Sequence, residues 1–175
     1  MGEEYETKIL DINVKEIQEK LKKLGAKRIK EVFFRRYIYD INLKNNEWIR
    51  LRTDGKETEI TYKFKRGKGI ADTEEINVSV NDFEKTSKIL EKIKCEGIYY
   101  QENKRVIYRL GDIEFDIDTW PRIPTYLEIE STSEAKVHEG LRLLGLEGKD
   151  IGHPSVKDVY EKYGIDLHKF KELKF

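Results

Sequence analysis

Five pairs of like charges, each two residues apart in a strand-like segment, stand out along this chain. They are Glu4 and Glu6 (followed by Lys8), Arg50 and Arg52, Lys63 and Lys65, Asp116 and Asp118, and Glu128 and Glu130. In an extended strand, side chains alternate between faces, so each pair shares one face. In Glu4-Tyr5-Glu6-Thr7-Lys8, two carboxylates and an ammonium therefore form one row, with Tyr5, Thr7 and Ile9 opposite. Carboxylate oxygens are the ligands that Mg²⁺ and Mn²⁺ prefer. Arginine forks take phosphate oxygens bidentately, and lysine adds a point charge. Side by side, the two sets suit a divalent cation and a polyphosphate. The plainer reading is the solvated face of an ordinary sheet. Such a face would mix in Thr, Ser and Gln, and like charges two apart repel unless the opposite sign lies between them.

The elements that must position these residues are legible from the same alternation. The first strand runs over about 3–10, and a helix capped by Asp11 or Asn13 covers about 14–24. Extended segments follow at about 28–40, around Trp48–Arg52, at about 59–65 and at about 72–80. Asp54-Gly55 signals a hairpin. A second helix covers about 83–93, strands cover about 98–110, 113–119 and 126–131, and helices cover about 133–144 and 155–163. The apolar side of each strand needs cover, which the four helical segments can supply. Seven or eight successive antiparallel strands imply a meander or a closed barrel, and closure removes the sheet edges. In a barrel the acidic rows from the chain ends and the basic rows from its middle would face one another across one interior.

Composition bounds the function. A chain of 175 residues with no Pro/Gly/Ser-rich linker reads as one domain, 1–175, with its core over about 3–163 and a charged tail at 164–175, of which Lys169–Phe175 reads as loosely held. The 34 basic and 34 acidic residues balance, which argues against a nucleic-acid partner. The single cysteine, Cys95, excludes an internal disulfide and reads as a small buried hydrophobe. No apolar run approaches a membrane span and no signal segment is visible, so the expectation is a cytoplasmic protein with no membrane partner. His138, His153 and His168 lack metal-ligand spacing, and no Walker-type loop or Gly-x-Ser-x-Gly elbow occurs.

The order of these motifs resembles the CYTH superfamily, the triphosphate tunnel metalloenzymes. The resemblance rests on Glu4-x-Glu6-x-Lys8, then Arg50-Leu51-Arg52, Lys63-Phe64-Lys65, a Glu in the next strand, Lys104-Arg105, Asp118 and Glu128-Ile129-Glu130, and it covers about 3–163. Its class IV adenylyl cyclase-like branch is the most similar. The resemblance implies an α+β, mainly antiparallel fold: an eight-stranded closed barrel forming a tunnel, with helices outside and the segment after Pro154 at one end. It implies a metal site of Glu4, Glu6, Asp118, Glu128 and Glu130 for Mg²⁺ or Mn²⁺. The triphosphate would lie on Lys8, Arg50, Arg52, Lys63, Lys65, Lys104 and Arg105, with Glu4, Glu6 and Lys8 at the catalytic centre. The implied substrate is a small-molecule triphosphate: ATP, tripolyphosphate or thiamine triphosphate. Cyclisation of ATP to cyclic AMP and pyrophosphate, and hydrolysis of the triphosphate, remain two outcomes of one site. A homodimer is expected by analogy with relatives alone. A non-catalytic polyphosphate- or nucleotide-binding domain is the alternative, because a fold does not settle function. The chain departs from the family pattern at Phe34-Arg35-Arg36-Tyr37-Ile38-Tyr39, where relatives often carry Gln and Asp, and at Asn103, where relatives carry the first basic residue of a Lys-x-Arg row.

Overall fold

The computed structural model describes residues 2–3, 5–42, 44, 46–67, 73–95 and 97–175. Its strands are β1 (Gly2–Glu3), β2 (Tyr5–Ile9), β3 (Lys27–Asn42), β4 (Glu47–Thr53), β5 (Thr58–Lys65), β6 (Thr73–Val80), β7 (Gly97–Leu110), β8 (Ile113–Thr119), β9 (Tyr126–Ser131) and β10 (Glu172–Leu173). Its helices are α1 (Val14–Lys23), α2 (Phe83–Leu90), α3 (Glu134–Leu144) and α4 (Val156–Lys162). The strands form one curled sheet in the order β1-β6-β5-β4-β3-β7-β8-β9-β2. Every pairing along that path is antiparallel.

The N-terminal segment lies at both edges of this path. Gly2 and Glu3 pair with Glu75 and Glu74 of β6, while Tyr5–Ile9 pair with Ser131–Leu127 of β9. On its other side, β2 meets the 151–152 segment rather than a strand: Lys8 N donates to Gly152 O at 2.9 Å, and Ile151 N donates to Lys8 O at 2.9 Å. The architecture is thus α+β, with eight longer antiparallel strands curled into an incomplete barrel and four helices.

Local signals set the helices. Asn13 and Asp82 cap α1 and α2 by accepting from Glu16 N and Lys85 N. Ser155 and Asp158 form a reciprocal capping box on α4. Helix α3 ends at Gly145, whose φ of 64° is the left-handed conformation that glycine adopts without penalty. Helices α1 and α3 cover the apolar face of β2, β8 and β9, where Ile9, Ile17, Leu21, Phe115, Ile129 and Leu141 form the main core. Each such side chain contributes about 1.5–3 kcal/mol on full burial. A second cluster joins Trp120, Tyr126, Val159, Tyr160, Leu167 and Leu173. The tail is therefore anchored, contrary to the expectation of a loose segment. Glu172 and Leu173 pair in parallel with Tyr100 and Gln101, and Leu173 is fully buried. Its charged composition hid two apolar anchors, Leu167 and Leu173.

Helix α3 packs closely on the sheet at Gly140. A Cβ there would lie 2.8 Å from Ile129 Cγ2 and 3.2 Å from Ile113 Cγ2. Overpacking costs about 1–3 kcal/mol, and alanine regains up to about 1 kcal/mol of helix propensity. Gly140→Ala is therefore expected to lower the urea unfolding midpoint by a net loss of about 1–2 kcal/mol. An unchanged or raised midpoint would contradict this packing.

Candidate active site

The strand registers bring the charged rows onto one face. Across the ladders, Glu6 opposes Glu130 and Lys8 opposes Glu128; Glu128 opposes Asp116, and Asp118 opposes Arg105. Further round, Arg36 opposes Arg52, Ile38 opposes Arg50, Trp48 opposes Lys63, and Lys63 opposes Glu75. This face lines a cavity of about 890 Å³ whose walls include Glu6, Lys8, Arg50, Arg52, Lys63, Lys65, Arg105, Glu128 and Glu130. It is not a solvated outer face, since Glu6, Lys8, Asp118 and Glu128 are 6%, 3%, 0% and 6% exposed.

The carboxylates are held by opposite charge. Lys8 Nζ bridges Glu6 and Glu128, at 2.8 Å from Glu128 Oε2. Burial alone would raise the Glu6 pKa, but Lys8, His153 and Lys63 outweigh it and hold this carboxyl well below its usual range. Burial and Glu6 push the Glu128 carboxyl up, yet Lys8 and Arg105 keep it low as well. Burial would lower the pKa of Lys8; Glu128 and Glu6 raise it instead. Arg105 reaches three carboxylates: Asp116, Asp118 (Nη2–Oδ2 2.5 Å, Nε–Oδ1 2.9 Å) and Glu128 (2.9 Å). Lys63 pairs with Glu75, Lys65 Nζ lies 3.2 Å from Asp158, and Arg50 and Arg52 share Glu59 at 3.3 and 3.2 Å.

Glu6, Glu128 and Glu130 each offer an oxygen within 4.8 Å of the others, and so do Glu114, Asp116 and Glu130. All-carboxylate oxygen sets of this kind suit a hard divalent cation, and the Lys8 ammonium shows that the first set draws positive charge. Glu6, Lys8, Arg50, Arg52, Lys63, Lys65, Arg105, Glu128 and Glu130 line one cavity. Glu4 lies outside the described residues. Asp118 is fully buried beneath Arg105 and also accepts from Asn103 Nδ2 at 2.9 Å, so its described partners are a guanidinium and an amide. Lys104 is on the outer face opposite Phe33 and Thr119, with Nζ 4.5 Å from the Phe175 ring centre.

Two cavity residues escaped the sequence reading. His153 is buried, with Nε2 2.6 Å from Glu6 Oε1, and the backbone pairing of 151–152 with Lys8 sets it there. No spacing rule relates residues this far apart. Arg36 is 6% exposed on the inner face, which the period of two makes it share with Phe34, Ile38 and Asp40.

Asp116 gives the site a pH signature. Burial, then repulsion from Asp118, Glu128 and Glu114, raises its pKa from 3.8 to about 8 despite Arg105. A carboxyl with a raised folded-state pKa binds its proton more tightly when folded. Stability is then greatest below the unfolded pKa and declines as pH rises toward the folded one. Without divalent ions, stability should fall between about pH 4 and 8, by about 1.4 kcal/mol per pH unit at most. Asp116→Asn should make that fall shallower in denaturant melts. An unchanged slope would contradict the assignment.

The CYTH domain profile matches residues 2–160. A protein of Methanocaldococcus jannaschii named as a candidate adenylate cyclase, MJ0240, is 33% identical over 135 residues, covering 74% of this chain and 75% of the relative. Among solved structures, the PH1012 protein of Pyrococcus horikoshii OT3 superposes with a TM-score of 0.74 at 22% identity, over 87% of this chain and 96% of its own. HpAC1 of Hippeastrum, described as a candidate adenylyl cyclase with a dominant triphosphatase activity, superposes with a TM-score of 0.62 at 16% identity, over 92% and 96%. With the profile spanning nearly the whole chain and the strand registers placing its charged rows around one cavity, the chain belongs to the CYTH domain family.

Proposed function

We propose that this chain is a divalent-metal-dependent enzyme that acts on triphosphate substrates inside a tunnel. The observation that carries the reading is the division of charge within one cavity: Glu6, Glu128 and Glu130 cluster together, while Arg50, Arg52, Lys63 and Lys65 line the same space. The name of the M. jannaschii relative, a candidate adenylate cyclase, supports a nucleotide triphosphate among the substrates. Closure of the curled sheet into a tunnel is supported by the N-terminal segment, which pairs with β6 through β1 and with β9 through β2.

In this reading, Glu6, Glu128 and Glu130 would hold Mg²⁺ or Mn²⁺, which when bound would neutralise phosphate charge and orient the attacking oxygen. The chain's cations do the rest. Arg50 and Arg52 fork onto phosphate oxygens, Lys63 and Lys65 add point charge, and Lys8 can exchange a carboxylate for a phosphate oxygen. Phosphoryl transfer depends chiefly on such positioning and charge neutralisation. Two reactions fit this grip. The ribose 3′-hydroxyl of ATP attacks the α-phosphorus and expels pyrophosphate, or water attacks the terminal phosphorus and releases orthophosphate.

Product analysis with Mg²⁺ or Mn²⁺ and, separately, ATP, tripolyphosphate and thiamine triphosphate tests the proposal. Cyclic AMP with pyrophosphate assigns a cyclase, and orthophosphate assigns a triphosphatase. No product from any of the three contradicts the enzyme reading.

A further inference from the structure

The cavity walls are unequally neutralised. Arg105 is matched by Asp116, Asp118 and Glu128, and Lys8 by Glu6 and Glu128. The wall formed by β3 and β4 is different. Arg36, Arg50 and Arg52 stand together there, and Glu59 is the carboxylate paired with the last two. Among the described residues, Glu59 is the one carboxylate that pairs with these guanidiniums; Asp118, engaged by Arg105 and linked to Arg36 only through Asn103, attracts them from further off, so positive charge stays in excess on this wall.

Arg36 is the extreme case. Its hydrogen bond goes to the neutral amide oxygen of Asn103, and among the described residues no carboxylate pairs with it. Its guanidinium centre lies 4.7 Å from the Trp120 ring centre and 5.8 Å from that of Phe34, so the group is held by aromatic faces without being neutralised. Burial, then Arg52, Arg50 and Arg105, depress its pKa. Two buried donors of this wall also lack acceptors, Arg36 Nε and Arg50 Nε, as does Nε1 of Trp120, whose ring packs on Arg36. A buried charge without a counter-charge is costly, and so is a buried donor without an acceptor. One kind of group relieves both: an oxyanion with several acceptor oxygens.

We infer that Arg36 is an additional anion-binding residue of the cavity, which with Arg50 and Arg52 takes a phosphate group of a linear oligophosphate or nucleoside polyphosphate. The inference rests on the triphosphate reading and adds to it a residue at which the chain departs from the family pattern. Anchoring of Trp120 by the buried cluster with Tyr160 and Leu173 fixes the surface on which Arg36 lies. The C-terminal segment thereby contributes to the geometry of the phosphate wall.

Calorimetric titration of tripolyphosphate in EDTA, where metal-dependent turnover is blocked, tests the assignment on the wild-type chain, Arg36→Met and Arg36→Lys. Loss of a charge-assisted contact should weaken binding about tenfold or more in Arg36→Met. Arg36→Lys should lose less, since it keeps the charge but not the fork. Without ligand, Arg36→Met should melt at the same or a higher temperature, because it removes repulsion among three guanidiniums. A residue that only filled space would behave oppositely, with a lowered ligand-free melting temperature and unaltered affinity. Wild-type affinity in Arg36→Met overturns the inference and leaves the triphosphate reading standing. Failure of the wild-type chain itself to bind tripolyphosphate, in EDTA and equally with Ca²⁺ present, overturns both. Should Arg36→Met fail to fold, Arg36→Lys decides: weakened binding supports the assignment, and parity overturns it.

Discussion

Glu6→Gln is expected to lower metal-dependent turnover of tripolyphosphate or ATP by about 100-fold or more, the scale of removing one preorganised electrostatic group from a reacting centre. The substitution keeps the side chain's size and its ability to accept from Lys8 and His153, so the fold should survive. What it removes is charge at the point where three elements converge. Glu6 belongs to the carboxylate trio with Glu128 and Glu130, receives Lys8 from its own strand, and receives His153 from the segment preceding α4. The loss should appear in the metal-saturated rate and in a raised Mn²⁺ requirement, with an unchanged far-ultraviolet circular dichroism spectrum. Full activity at ordinary Mn²⁺ would remove Glu6 from the site.

Arg105→Met should be the most destabilising change in the cavity. It leaves Asp116, Asp118 and Glu128 buried together without the guanidinium that reaches all three. Breaking a buried pair by deleting one partner costs about 3–5 kcal/mol, because the remaining charge is uncompensated. At roughly 2–4 °C per kcal/mol for a chain of this size, the melting temperature should fall by on the order of 10 °C. The defect should shrink at mildly acidic pH. Asp116 and Asp118 both have raised pKa values from burial, and without Arg105 they would take up protons still more readily. A loss below about 1 kcal/mol at neutral pH would show that the network is not what holds this wall. The contrast with Arg36→Met is informative: loss of the half-buried Arg105, over-matched by carboxylates, should destabilise, whereas loss of the buried Arg36, which has no carboxylate pair among the described residues, should leave stability unchanged or raised.

The features that sequence made legible were those with a short period. Alternation placed Glu6 with Lys8, Arg50 with Arg52 and Glu128 with Glu130 on shared faces, and the registers bring these rows around one cavity. Asn13, one of the two caps the sequence offers for the first helix, acts there by accepting from Glu16 N. What alternation could not reveal was contact between distant segments. His153 meets Glu6 because a short backbone pairing lays residues 151–152 along β2, and that pairing carries no side-chain pattern. The same segment occupies part of the gap that a complete barrel would fill with strand pairing. Lys104 illustrates the opposite hazard: it adjoins Arg105 in sequence, but alternation turns it outward toward Phe175. The charged tail reads as solvent-exposed on average, yet Leu167 and Leu173 suffice to dock it.

The most direct test of the account is phosphorus-31 NMR of tripolyphosphate and of ATP incubated with the purified wild-type chain, in Mg²⁺ or Mn²⁺ quenched before measurement, and in EDTA. The account predicts loss of triphosphate resonances with divalent metal, appearance of orthophosphate or pyrophosphate, and no change in EDTA. Intact substrates under every condition, or equal turnover in EDTA, would contradict a metal-dependent triphosphate enzyme.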